Sequence, residues 1–297
     1  MKAKNLSWIA AGLLFSIFWA SASTATKVGL AVVQPLILAI IRFAVAAAIM
    51  LVFAHGIKRY RLPKSSEWRG IAIYGILNIS IYLGCYVIAM QEVTASIGAL
   101  ATATNPIFIS LMSVFFLNKK LTWKIGLSLL ICMLGVVCAA WPNLGEASVT
   151  VRGLLLLLFS MVSYSVGAIW ISGQKWEGLS LITINGWQTL IGGVVLAPVA
   201  LYVFHPDSNN LNTSFWEAVL WLAIPVSIFA SQLWLWLLQI NAVKAGFWLF
   251  LCPLFGALIA AALLHEAISV YTWLGIILVV LGLLIARGSS TKTPASS

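Results

Sequence analysis

The chain has 297 residues, of which 62% are hydrophobic and only 8% charged, and its net charge is +10. Soluble domains carry about 45–50% apolar and roughly 25% charged residues, so this composition excludes a soluble enzyme and a disordered chain. An apolar span of about 20 residues crosses a bilayer, and ten of them would use about 200 residues, leaving only short connections.

Lys2 and Lys4 precede the first apolar run, and no cleavage site follows it, so this run is expected to stay as a helix. The hydrophobic pattern predicts ten spans. The first, 7–26, carries Gly12, Ser16, Trp19, Ala20 and Ser23 on one helical stripe. The second, 36–54, holds Arg42, the one formal charge well inside a span. At about 1.5 Å per residue Arg42 lies about 9 Å from its helix end, close enough to snorkel, which favours a structural role over holding an anionic cargo. The third, 69–90, aligns Tyr74, Asn78, Tyr82 and Cys85. The fourth, 94–117, aligns Thr94, Gly98, Ala101, Thr102 and Asn105, followed by Pro106. The fifth and sixth run over 123–141 and 153–172, the latter with Ser160, Ser163, Tyr164 and Gly167 on one face. The seventh, 181–204, contains Gln188; the eighth, 215–238, contains Gln232. The ninth, 244–264, has Gly246, Trp248, Leu249, Pro253 and Gly256, and the tenth covers 270–287. A Ser/Thr/Pro-rich tail, 289–297, is expected to be disordered and cytoplasmic.

With the N-terminus inside, the inner segments hold 14 of the 17 Lys and Arg residues and the outer ones 2, Lys27 and Arg152; Arg42 is the remainder. Basic loops orient membrane helices, so ten spans with both termini cytoplasmic are expected, and nucleic acid is not an expected partner. Cys85, Cys132, Cys138 and Cys252 all lie inside apolar runs without metal-ligand spacing. They read as small packing residues.

The chain also repeats. Asn105-Pro106-Ile107-Phe108 resembles Cys252-Pro253-Leu254-Phe255 at an offset of 147 residues, which also maps Gly135 onto Gly282; near 146 Arg42 falls on Gln188. Each half, 1–144 and 145–288, then holds five spans. Five is odd, so the second half enters the membrane inverted, as in many secondary transporters. A mid-helix proline frees a carbonyl and bends the helix. Pro106 and Pro253, at matching repeat positions, are therefore expected to form a hinge or cavity wall.

These features resemble the drug/metabolite transporter superfamily in its ten-helix EamA branch. The resemblance rests on Phe18-Trp19-Ala20, Pro35-Leu36 through Arg42-Phe43, Asn105-Pro106-Ile107-Phe108, Gly135-Val136, Trp187-Gln188-Thr189-Leu190-Ile191-Gly192 and Leu264-His265-Glu266, and covers almost the whole chain. It implies a central cavity lined mainly by spans one, three, four, six, eight and nine, and a small metabolite, often an amino acid or its derivative, usually exported. The chain departs from the family at Lys119, where a Glu usually follows span four.

Small-residue stripes serve close helix packing as well as cavities, whereas an amide in hydrocarbon is costly without a partner. Asn78 and Asn105 are expected either to pair across spans three and four or to meet cargo. The candidate cargo contacts are Ser16, Trp19, Asn78, Tyr82, Thr102, Asn105, Tyr164, Gln232 and Trp248, with Trp19, Tyr82, Tyr164 and Trp248 as an aromatic wall. Gln188 is expected to make helix–helix hydrogen bonds. No Asp or Glu lies at mid-span, and Glu92, Glu217 and Glu266 sit at outer ends, which argues against a mid-depth carboxylate proton relay. No Walker loop, metal-binding helix or nucleophile elbow occurs. The sequence therefore predicts an all-α membrane protein of two inverted five-helix repeats. It would act as a cofactor-free, non-enzymatic exporter of small metabolites in the cell inner membrane, with a monomer the simpler expectation. A multidrug exporter or importer of the same fold, or a non-transport enzyme or subunit, are the alternatives.

Overall fold

The computed structural model describes residues 2–116, 123–143, 149–234, 236–237 and 246–287. Lys119 and the tail 289–297 lie outside them. The described chain is almost wholly helical, with no strand. This follows from composition, because in lipid every backbone polar group must bond within its own segment.

In order, the helices are α1 (Lys2–Leu30), α2 (Pro35–Leu51), α3 (Ser65–Gly75), α4 (Gly84–Ala89), α5 (Ala95–Ala103), α6 (Asn105–Phe116), α7 (Trp123–Ala140), α8 (Val151–Ser172), α9 (Leu181–Tyr202), α10 (Thr213–Trp221), α11 (Cys252–Leu264) and α12 (Val270–Arg287). Among the described residues, three stretches are wound as π-helix: Val52–Ile57 after α2, Ile76–Leu83 between α3 and α4, and Leu222–Ala230 after α10. Among the described residues, six continuous stretches are long and apolar enough to cross a membrane: Ser7–Leu30, Pro35–Ile57, Ser65–Ala89, Val151–Ser172, Leu181–Tyr202 and Thr213–Trp234. Three apolar helices among the described residues are shorter: Gly126–Ala140, Cys252–Leu264 and Val270–Ile285.

Local chemistry sets the helix ends. Thr94, Thr150 and Asn212 each accept a hydrogen bond on the side-chain oxygen from the backbone N–H three residues on, satisfying a donor that a helix start leaves free. Pro35 opens α2, where its missing N–H costs nothing. α11 stops at His265, whose φ of 55° leaves the helical region.

The two prolines expected as mid-helix kinks stand elsewhere. α5 ends at Ala103 and α6 starts at Asn105, so Pro106 is the second residue of a new helix. Pro253 likewise falls in the first turn of α11, after a 3₁₀ stretch, Gly246–Leu251. In a first turn proline removes no helix hydrogen bond; each break lies before the proline rather than at it.

Glycines set the tightest helix crossings. In the α7–α12 seam a Cβ on Gly275 would lie 2.6 Å from the Gly135 carbonyl, and one on Gly135 2.8 Å from the Gly275 carbonyl. Further along, a Cβ on Gly282 would lie 2.3 Å from Cys132 Sγ and 2.9 Å from the Ser128 carbonyl. Cys132 Sγ itself donates to the Val279 carbonyl at 3.4 Å. α3 and α9 meet the same way: a Cβ on Gly192 would approach the Gly75 carbonyl to 2.4 Å. Ser80 Oγ donates to the Gly192 carbonyl at 2.7 Å just beyond this crossing.

Candidate functional site

The α3–α9 crossing holds one wall of a central cavity of about 150 Å³. α1 contributes Trp19 and Ala22, and α2 contributes Arg42 and Phe43. Tyr74, Asn78, Tyr82 and Tyr86 come from α3 through α4, Thr102 from α5 and Tyr164 from α8. Asn185, Gln188 and Thr189 come from α9, and Ser227, Ser231 and Trp234 from the segment that follows α10. The cavity thus takes side chains from the second and seventh expected spans, and none of its described lining residues comes from the ninth. The reason is packing. α11 lies against α1 and α5, where a Cβ on Gly256 would touch Ala99 Cβ at 2.2 Å, while the glycine crossing draws α9 inward.

The walls combine aromatic rings with amides. The Tyr82 and Tyr164 rings lie 4.9 Å apart and tilted, within the range for favourable aromatic pairs. Asn78 Nδ2 donates to Gln188 Oε1 at 3.3 Å, and Gln188 Nε2 donates to Asn185 Oδ1 at 3.3 Å. This chain of three amides ends on a buried acceptor without a partner, Asn78 Oδ1, and a buried donor without one, Asn185 Nδ2. Flipping all three amides exchanges the two ends but still leaves one acceptor and one donor.

Arg42 is the only formal charge on the lining, and no carboxylate lies there among the described residues. It is 8% exposed. Its Nε and Nη2 both donate to Ser227 Oγ, at 3.2 and 3.0 Å, and its guanidinium carbon sits 5.7 Å from the centre of the Phe43 ring. The expected snorkelling is not seen, because Arg42 points across to the neighbouring helix rather than along its own.

Of the nine candidate contact residues, Trp19, Asn78, Tyr82, Thr102 and Tyr164 line the cavity. The other four do not. Ser16 Oγ donates to the Gly12 and Trp248 carbonyls at 2.9 and 2.8 Å, which is helix packing. Trp248 sits over Gly12 and beside Trp8, ring centres 5.2 Å apart, rather than in the aromatic wall. Asn105 is buried beside the Tyr82 hydroxyl and is not among the lining residues. Neither its amide oxygen nor its nitrogen meets a partner in hydrogen-bond geometry. The expected Asn78–Asn105 pair is therefore absent, and Asn78 bonds Gln188 instead, consistent with the helix–helix role expected for Gln188. Gln232 has a buried, unpartnered Nε2 and lies off the lining.

Residues outside that candidate set also line the cavity. Asn185, Gln188 and Thr189 follow the i, i+3, i+4 spacing of one helix face, a polar stripe legible in the sequence. Ser227 and Ser231 follow i, i+4 as well.

Polar contacts also tie the ends of the bundle. Glu266 caps α5, accepting from the Ala95 and Ser96 backbone N–H groups at 2.6 and 3.1 Å and from Ser96 Oγ at 2.7 Å. Glu92 pairs with Arg152 at 2.9 Å and accepts from Thr150 Oγ1. Elsewhere Arg61 pairs with Glu67 at 2.7 Å, and Lys64 pairs with Glu177. The hydrogen bond to Glu67 raises the Arg61 pKa above its ordinary value. His55 Nε2 accepts from Trp187 Nε1 at 3.1 Å while Nδ1 faces the Tyr60 carbonyl at 2.9 Å, an arrangement that calls for the neutral tautomer with the proton on Nδ1.

Comparison with known proteins agrees with this architecture. The model of the EamA-like transporter family matches residues 6–141 and again 151–288. An uncharacterized transporter of Archaeoglobus fulgidus is 27% identical over 94% of this chain and 97% of its own length. Protein PecM of Dickeya dadantii is 26% identical over 86% of this chain and 84% of its own. The uncharacterized inner membrane transporter YedA of Escherichia coli is 24% identical over 96% and 92%. A solved crystal structure superposes with a TM-score of 0.65 over 97% of this chain and 99% of that one, at 20% identity, so it speaks to the fold alone.

Proposed function

The chain belongs to the EamA-like transporter family, a family of multi-pass membrane proteins, and from that membership we propose that it exports small metabolites, amino acids or their derivatives, across the cell inner membrane by alternating access. The observation that carries this reading is the central cavity. It combines aromatic walls with amide groups that lack partners, the features with which a protein binds a small amphipathic solute. Among the described residues its walls carry no reacting constellation, which favours the role of a carrier.

Alternating access needs two halves able to exchange conformations, and support for an inverted repeat comes from the packing. Cys132 and Val279, which touch, are separated by the repeat offset of 147 residues. That offset maps the contact between Gly135 and Gly275 onto the contact between Gly282 and Ser128. It also carries the π-helical stretch Ile76–Leu83 onto residues 223–230, within the π-helical stretch Leu222–Ala230. Contacts of α8 with α6 and with Ile76–Leu83 are mirrored by those of α1 with α11 and with Leu222–Ala230. We read ten spans from this, in two halves of five, with both termini cytoplasmic as the basic loops favour. Rocking of the halves would centre on the helix breaks before Pro106 and Pro253, in a carrier that works as a monomer.

The test is efflux from proteoliposomes loaded with a labelled amino-acid panel, with and without an imposed pH gradient. Selective efflux of a few members is expected. No efflux of any member would sink the amino-acid reading. A gradient that changed steady accumulation would show proton coupling despite the lack of an acidic group on the cavity wall.

A further inference from the structure

Arg42 presents an unsolved electrostatic problem. It is buried, it lines the cavity, and no ion-pair partner meets it among the described residues. A charge held in a membrane protein without a counter-charge is expensive, and such a residue usually marks a binding function. Its geometry says what it would bind. Guanidinium has five N–H donors in a flat fork. Ser227 Oγ occupies the edge made by Nε and Nη2, which fixes the plane of the group. The other edge, made by Nη1 and Nη2, meets no further hydrogen-bond partner among the described residues. That edge matches the two oxygens of a carboxylate.

Resting on the transport reading above, we propose that Arg42, oriented by Ser227, is the anchor for the cargo carboxylate, and that the cargo is a monocarboxylate with a second polar group that engages the Asn78–Gln188–Asn185 chain. One buried cation balances one negative charge, which favours a carboxylate over a doubly charged phosphate ester. The free acceptor and donor at the ends of the amide chain suit an ammonium or amide on the same molecule. The aromatic rings between these two poles take the apolar body. Arg42 thereby sets specificity: the acid is selected over its carboxamide, which presents no negative charge to the guanidinium.

The test uses full-length purified protein and matched probes, phenylalanine with phenylalaninamide and leucine with leucinamide, plus phenyl phosphate. Binding is read as ligand-induced thermal stabilisation. The acids are expected to bind at least about tenfold more tightly than their amides, the scale of a lost charge-assisted hydrogen bond. R42Q should erase that preference, with acids binding no better than their amides, and R42K, which keeps charge but not the fork, should fall between. The comparison within wild type needs no variant, so it stands even if R42Q fails to fold. Amides that bind as well as acids, phenyl phosphate that binds better than either acid, acids that do not bind, or an R42Q protein that keeps the preference would each overturn the anchor. Efflux separates the two failures. If liposomes holding wild type move uncharged solutes while the acids fail to bind, only the anchor falls; if they move nothing, the transport reading falls with it.

Discussion

The seam between α7 and α12 and the wall of the central cavity are made of similar helices, yet they treat their polar atoms in opposite ways. In the seam, Gly135, Gly275 and Gly282 bring backbone carbonyls so close that a single methyl would collide, and Cys132 Sγ has its own carbonyl partner. At the cavity, Asn78 Oδ1 and Asn185 Nδ2 are buried with no partner, and Arg42 has no carboxylate. A seam of this kind gains everything from contact and nothing from openness. The cavity gives up hydrogen bonds, each worth about 0.5–1.5 kcal/mol net, a cost that selection tolerates where the groups meet a solute. Stability and function should therefore separate by region.

The strongest way to break that separation is Gly275→Val. Its Cβ must enter a 2.6 Å gap to a backbone carbonyl, and backbone cannot swing aside as a side chain can. Overpacking of this kind costs about 3 kcal/mol, and a large fall in melting temperature and in monodisperse yield is expected. A melting temperature within a few degrees of wild type would show that the seam is looser than its geometry.

Glu266→Ala probes an end of the bundle and should come next. The carboxylate holds two α5 backbone N–H groups and Ser96 Oγ, and charge-assisted bonds of this type contribute about 1.5–3 kcal/mol. Helix dipole and capping both favour an anion there. Glu266→Gln keeps an acceptor oxygen and should recover part of the loss. Equal melting temperatures for wild type and the alanine variant would show that the cap carries no stability.

Asn78→Ala sharpens the comparison from the cavity side. The side chain makes one long hydrogen bond, 3.3 Å, and has a free oxygen, so its removal should change stability by less than about 1 kcal/mol. Efflux should nevertheless fall by about tenfold, the scale of one lost hydrogen bond at the upper end of its range. Loss of fold with Asn78→Ala, or full efflux, would erase the distinction between the two regions.

How much of this was legible in sequence varies by element. Composition alone sufficed for the all-helical membrane character, because the backbone has no other way to satisfy itself in lipid. Trp19, Thr102 and Tyr164 were found from helical stripes because those helices are regular up to each residue; Tyr82 lines the cavity although it lies within the π-helical stretch Ile76–Leu83. Ser16 and Trp248 were not separable from them, since a stripe facing protein and one facing a cavity have the same period. Gln232 was singled out as an amide and not by its place on a stripe. Ser227, Ser231 and Trp234 keep i, i+4 and i+7 spacing and line the cavity, and Gln232 lies off that face. For Arg42 the charge inside a span was visible, but the Ser227 side chain that it bonds lies 185 residues further along the chain.

The smallest effect on stability, and the sharpest test of motion, belongs to Pro106→Ala and Pro253→Ala. In a helix interior a proline costs about 3 kcal/mol, so its replacement there would stabilise strongly. Both prolines instead stand in the first turn after a break. There proline's fixed φ suits the helix and its missing N–H is not needed, so alanine should change melting temperature by little. If the breaks are where the halves rock, what proline contributes is a barrier to their closing. Alanine restores a backbone donor at each position and lets a continuous helix run from α5 into α6, or from the 3₁₀ stretch into α11. Efflux should then slow with stability unchanged, most in the double variant. Normal efflux from the double variant would remove the prolines from the mechanism and leave the breaks at Thr104 and Leu251 as features of packing alone.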